Sequence, residues 1–202
     1  ISSFAQMLGD MTPQDDPRAS LVDKLVNQSF RVSRIVSNLR QAIQGGSEEA
    51  TVIDLAAVAR AAAMEAARSM EAESRLDVIE DGRIMASGAA GPVDLAVSNM
   101  VRNALEASGS DEPVRVVIRT RDEWAEVRID DRGPGVAPEH LGRVFEPFFS
   151  TKTERGGTGL GLAITRDMIA SLGGEVSLEN LTGGGARATV RLRLWKEPEA
   201  SS

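Results

Sequence analysis

The chain has 202 residues, 42% of them hydrophobic and 26% charged, with no cysteine, a single histidine and a formal net charge of -7. That length exceeds one small domain and falls short of two average ones, so a compact unit carrying an appendage is expected. The acidic balance excludes a nucleic-acid surface, which needs clustered Lys and Arg; every window is too polar for a membrane span; and the lack of cysteine excludes disulfides and thiolate metal sites, as suits a reducing cytoplasm.

The sequence opens at Ile1 inside an apolar pattern, which is expected of a fragment of something longer. Phe4, Met7, Leu8 and Met11 recur at helical spacing until Thr12 to Pro17 break the run. From Leu21 to Gln44 a heptad stripe follows, through Val22, Leu25, Val32, Val36, Leu39 and Ile43, with Ser29 in one seam position. Two helices joined by a loop make a hairpin. At about 1.5 Å per residue the second is roughly 35 to 40 Å long and the first about 15 Å, so an apolar seam is left over. A second copy of the hairpin, giving a homodimeric four-helix bundle, is the expected cover.

Gly45-Gly46-Ser47 interrupts the stripe, and an Ala-rich helix capped by Asp54 is expected to run to about Ala72. Short strands follow at Arg75 to Ile79 and Ile84 to Met85, on either side of an Asp81-Gly82 turn, then a helix over Val93 to Ala107. Val114, Val116 and Ile118 alternate as a strand, Val127 and Ile129 as another, and Arg121-Asp122-Glu123 turns between them. A glycine-broken loop region leads to a helix over Gly159 to Leu172. A last hairpin, Glu175 to Asn180 with Ala186 to Leu194, closes around Gly183-Gly184-Gly185. The expected organisation is a helical hairpin over 1–46 and, over 47–202, an α+β unit: a two-layer sandwich of a mixed β-sheet with helices on one face.

Four segments carry candidate chemistry. Asn99 and Asn103 stand four residues apart on one helix face, away from the apolar stripe of Val97, Val101 and Leu105. Their carbonyls suit a Mg²⁺ ion that takes its other ligands from water and nucleotide phosphates; taken alone, a pair of solvated amides is the commoner meaning of such spacing. Asp131 ends an apolar strand just before Gly133-Pro134-Gly135, where a carboxylate can accept from an exocyclic amine and glycines permit close approach, or where a plain turn can form. Gly156-Gly157-Thr158-Gly159-Leu160-Gly161 enters a helix and offers amides and a dipole to phosphate. Between them, Phe145, Phe148 and Phe149 either pack a mobile lid or anchor the loop to the core, and Lys152 either touches phosphate or is solvated.

In this order the four segments resemble the boxes of histidine-kinase catalytic domains, within the ATP-binding family shared with gyrase, heat-shock chaperones of the ninety-kilodalton class and mismatch-repair ATPases. The Asn box is Asn99-Met100-Val101-Arg102-Asn103-Ala104, the first glycine box Asp131 to Gly135, the phenylalanine box Phe145 to Phe149 and the second glycine box Gly157 to Gly161. The resemblance implies a Bergerat-type ATP-binding fold with ATP and Mg²⁺ as its ligands. It implies that Asn103 ligates the metal with Asn99 beside it, that Asp131 recognises adenine in a pocket shaped by Gly133 and Gly135, and that Gly157, Thr158, Gly159, Leu160 and Gly161, with Lys152, attend the phosphates under a lid from about Glu146 to Thr158. It also implies transfer of the γ-phosphoryl to a histidine, then to an aspartate of a response regulator receiver domain. The N-terminal hairpin resembles the end of that family's dimerisation domain. His140 is expected at the surface, with the phosphoacceptor before Ile1, so this chain is expected to bind ATP without phosphorylating itself on histidine. Ala186-Arg187-Ala188 departs from the threonine that relatives carry in the last strand. The alternatives are an anti-sigma-type serine kinase and a non-catalytic dimer scaffold.

Overall fold

A computed structural model describes residues 49–109, 111–151 and 158–196, with scattered positions before residue 30. Met7, Met11, Leu21, Val22, Leu25 and Ser29 are helical. The expected hairpin and its pairing with a second copy lie outside the described residues, as do Lys152 and Gly157.

The Ala-rich segment forms α1 (Leu55–Arg68), entered directly from β1 (Thr51–Asp54). Asp54 ends the strand and caps the helix, its carboxylate accepting from the Ala57 amide at 3.2 Å. The helix stops at Arg68 rather than near Ala72 because Glu71 takes a left-handed φ of 54°, which a helix cannot continue through. Leu55, Ala59, Ala62 and Ala63 are fully buried. Their small side chains let α1 lie close along α2 (Ala90–Ala107), whose own stripe of Val93, Val97 and Val101 is equally buried.

The two helices, joined by α4 (Gly161–Ser171), pack on one face of a five-stranded mixed sheet of order β2-β4-β5-β7-β6. Its strands are β2 (Leu76–Glu80), β4 (Val114–Arg121), β5 (Trp124–Asp130), β6 (Glu175–Asn180) and β7 (Ala186–Arg193), with β2 parallel to β4 and every other pair antiparallel. Strand alternation sends Val114, Val116, Ile118, Val127, Ile129, Val190 and Leu192 to the helical side, all buried. The helix-on-sheet class is therefore as expected.

One pairing is not. β2 and β3 (Met85–Gly88) flank the Asp81-Gly82 turn but do not pair with each other: β3 joins β1 antiparallel in a separate two-stranded sheet. β3 is drawn off by the end of β7, where Ala86 bridges Leu194 and the Trp195 amide donates to the Met85 carbonyl at 3.0 Å. β2 instead buries its apolar side under α1 within the main sheet. The short helix α3 (Pro138–Leu141), led by Pro138 at its first turn, is an element that the glycine-rich composition concealed.

The sheet face turned away from the helices is charged. Arg119, Glu126 and Arg191 are cross-strand neighbours on β4, β5 and β7. Glu126, only 1% exposed, accepts from Arg191 at 2.8 Å and Arg119 at 3.1 Å, with Arg128 at 3.7 Å. Burial pushes its carboxyl upward, but the hydrogen bonds from Arg191 and Arg119 outweigh it and hold the group below the ordinary glutamate range. A carboxyl lowered in this way adds stability above its unfolded-state pKa and loses it as the pH falls through the folded value. Glu126→Ala should therefore cost about 1 to 3 kcal/mol at neutral pH, and Glu126→Gln should flatten the loss of stability below about pH 4. Denaturant melts across the acid range check both.

Candidate functional site

A cavity of about 300 Å³ opens between α2, α4 and the adjoining ends of β5 and β7. Ile129, Leu178, Ala186 and Ala188 form its apolar floor; Asn99, Arg102, Asn103 and Glu106 stand on the α2 wall; Thr158, Gly159 and Gly161 lie where the chain enters α4. Asp131 sits at the floor's edge, one residue beyond β5 and 8% exposed. Its Oδ1 accepts from the Gly133 amide at 2.8 Å and the Ala186 amide at 3.1 Å, and its own amide donates to the Ala186 carbonyl at 2.9 Å. One carboxylate oxygen is thus held by two backbone donors. Among the described residues Oδ2 has no partner, leaving an aimed acceptor against a flat apolar floor.

The glycines act less directly than the resemblance implies. Gly133 does not line the cavity: a Cβ there would come within 2.6 Å of the Ala107 carbonyl oxygen, so its role is to let the loop lie against the end of α2. Gly135, which does line it, has a φ of 74° and faces Asn180. Gly159, at φ 67°, ties back to the phenylalanine segment: the Phe148 amide donates to its carbonyl at 2.9 Å, and a Cβ would collide with the Phe148 carbonyl carbon. That left-handed turn is also why α4 begins at Gly161 and not at Gly159. Thr158 lines the cavity, its hydroxyl accepting from the Leu160 amide at 3.4 Å, while the half-buried Leu160 is not on the wall.

Asn99 and Asn103 do share the cavity wall, yet differ. Asn99 is 8% exposed and engaged at both ends of its amide, donating from Nδ2 to Thr165 Oγ1 at 3.4 Å and accepting at Oδ1 from Arg102 at 2.9 Å. The half-buried Asn103 has no side-chain hydrogen bond among the described residues. Nor do those residues include a cluster of three or more His, Cys, Asp or Glu able to hold a metal by themselves. A neutral amide carbonyl at Asn103 fits a hard cation that arrives with phosphate ligands of its own.

The phenylalanines divide their work. Phe149 lines the cavity, Phe145 is half-buried with the Arg166 guanidinium 5.9 Å from its ring, and Phe148 is 74% exposed at a left-handed φ of 66°. His140 corrects an expectation. It is half-buried rather than at the surface, its ring set edge-on to Phe149 with centroids 5.3 Å apart, and the Arg143 guanidinium covers the same phenylalanine at 4.5 Å. Spacing in sequence gave no hint that the residue before Leu141 would meet the cavity's aromatic rim.

Residues 88–196 match the model of a family described as histidine kinase-, DNA gyrase B- and HSP90-like ATPases. The chain belongs to that family. It is 33% identical over 215 residues to the two-component sensor PprA of Pseudomonas aeruginosa, an alignment covering 99% of this chain and 23% of the relative. The solved ATP-binding domain of PrrB from Mycobacterium tuberculosis is 30% identical, with a TM-score of 0.57, over 74% of this chain and 100% of that one. Full-length ShkA in complex with AMPPNP shares the fold at 22% identity and a TM-score of 0.65, over 98% of this chain and 43% of that one. The chain spans 23% to 36% of the length of the first curated relatives it matches.

Four residues of the site escaped sequence reasoning: Arg102, Thr165, Asn180 and Gly185. Asn180 clasps the loop after Gly135, accepting from the Val136 amide at 2.8 Å and donating to its carbonyl at 2.7 Å. Gly185, at φ 87°, leaves no room for a Cβ beside the Asp131 carbonyl oxygen. The triple glycine was the available signal, although it reads locally as a hairpin turn. Gly185→Ala should lower stability by about 1 to 3 kcal/mol and displace Asp131, whereas Gly183→Ala, where a Cβ meets open space, should cost about 1 to 2 kcal/mol of backbone strain and leave ligand affinity unchanged. Melts and titrations of the two variants side by side check the contrast.

Proposed function

We propose that this chain is the ATP-binding catalytic region of a two-component sensor histidine kinase, one that hands the γ-phosphoryl of ATP to a histidine and thence to an aspartate of a response regulator. The observation that carries the reading is the Asp131 carboxylate, fixed at one oxygen by Gly133 and Ala186 and open at the other, across the cavity from Asn103. An adenine laid on Ile129 and Ala188 would give its exocyclic amine to Asp131, and Gly135 would let the base approach the loop. The phosphates would then run toward Asn103 and the entry to α4, where Thr158, Gly159 and Gly161 stand, with Lys152, Gly157 and Leu160 belonging to the same box.

Magnesium held by Asn103 would neutralise charge on the phosphates. Phosphoryl transfer depends chiefly on positioning and charge neutralisation, and an amide at Asn99 supplies no base to activate water. That favours handing the phosphoryl to a side chain over hydrolysis. In this reading residues 1–46 belong to a dimerising hairpin and 47–202 to the catalytic unit. No helix among the described residues is long and apolar enough to cross a membrane; in the same reading the catalytic unit works on the cytoplasmic side.

Calorimetric titration with a non-hydrolysable ATP analogue tests the assignment. Binding should require Mg²⁺, and Asp131→Asn should weaken it at least about tenfold by removing a charged acceptor. A folded chain that ignores the analogue at millimolar concentration would sink the proposal. Incubated with labelled ATP, the same chain should leave His140 unlabelled, since that ring is packed against Phe149; label found on His140 by peptide mapping would reassign the acceptor.

A further inference from the structure

We propose that the outer edge of β6 takes an extended segment of another protein, one that carries two basic side chains four residues apart and adds to the sheet as a sixth strand. β6 ends the sheet order, and among the described residues no strand pairs with the side of it turned away from β7. The open stretch runs from the Gly174 turn, whose amide is held by the Ile169 carbonyl, to the Asn180 clasp on Val136. No Pro or bulge blunts it, since its residues pair one for one with β7. The charges of the outer face then specify the guest. Register sets its outward residues in rows across the sheet: Asp77, Arg115, Asp130, Arg187, Glu179 in one, and Arg119, Glu126, Arg191, Glu175 in another. Sign alternates at every step, and both rows stop on β6 at an acid.

The last step of each row is the loosest. Arg187 holds Asp130 at 2.6 Å and Arg191 holds Glu126 at 2.8 Å, but they reach Glu179 and Glu175 only at 3.9 and 4.0 Å, and those two acids are 66% and 60% exposed. A strand that continues both rows places a Lys or Arg opposite each, and residues facing positions 175 and 179 are themselves four apart on one face. A second copy of β6 is refused, because in-register pairing in either direction sets glutamate against glutamate. Between the two acids stands Ser177, with Thr189 beside it on β7. Thr189 is 5% exposed and its hydroxyl has no hydrogen-bond partner among the described residues, yet it lines a second cavity of about 300 Å³ with Ser177, Arg191 and, from α4, Arg166 and Ala170. A cavity shared by α4, β6 and the outer face of β7 lies at the free margin of the sheet, where an added strand would run. A hydroxyl side chain midway between the two basic residues would find both partners there.

The experiment titrates the isotope-labelled full chain with a capped seven-residue peptide that has lysine second and sixth, threonine at its ends and centre, and valine between. Backbone amide shifts in the magnetic resonance spectrum should concentrate on Glu175–Glu179. A peptide of the same composition with its lysines three apart should bind about three- to tenfold more weakly, because it can satisfy only one row. The double variant Glu175→Gln with Glu179→Gln should weaken the first peptide by a similar factor and bring the two peptides level, while its unchanged shifts elsewhere show that it is folded. Equal binding of both peptides to the wild type, or shifts scattered over the acidic surface, would mean attraction to net charge alone and overturn the proposal. So would a wild type that shows no shift at millimolar peptide. None of these outcomes depends on the nucleotide reading of the first cavity.

Discussion

The site depends on a single carboxylate oxygen. Asp131 Oδ1 accepts one hydrogen bond from the Gly133 amide, in its own loop, and one from the Ala186 amide, at the start of the neighbouring strand β7. The first bond turns the chain out of β5; the second locks that turn to a strand that arrives more than fifty residues later. Neither would form if β5 and β7 slipped, because their register sets Asp130 against Arg187 and so brings Ala186 beside Asp131. The Arg187–Asp130 ion pair, both its hydrogen bonds at 2.6 Å on the opposite face, reinforces that register one step away. Strand pairing, loop path and the setting of the Asp131 carboxylate are consequently one construction.

Most of the scaffold was legible from periodicity. The α2 stripe of Val97, Val101 and Leu105, the alternation of Val114, Val116 and Ile118, and the Asp54 cap each announce an element through contacts within a few residues, and each was found where expected. The family was legible because the residue types of the boxes are tied to their order. What stayed hidden is long-range. The separation of β2 from β3 follows from the end of β7; the need for glycine at 185 follows from the Asp131 carbonyl; and His140 meets Phe149 only because α3 folds the loop back. Arg102 was quoted inside the Asn box without a role, since nothing in a helix pattern says that its neighbour's amide is already held by Thr165.

Among the described residues no second layer covers the outer sheet face, and its charges suit it to water. Arginines and carboxylates pair across adjacent strands, as in Arg119–Glu126–Arg191 and Arg187–Asp130, and the half-buried guanidinium stems cover the sheet beneath. At β4, β5 and β7 the ion pairs also penalise any shift in register, since a one-residue slip would turn these charges toward the helices. The same strands carry the cavity floor on their other side, so the charged lattice and the ligand surface are the two faces of one alternation.

The bond from the Phe148 amide to the Gly159 carbonyl joins two points eleven residues apart and fastens both to the body of the protein. Whatever path the chain takes between them, its ends are fixed at a common base. Closing a loop of given length costs free energy that grows only slowly with added residues. The stretch beyond that clasp can therefore lengthen, shorten or change composition with little effect on the sheet, and the rim of the cavity is the part of this protein most open to divergence under a constant core.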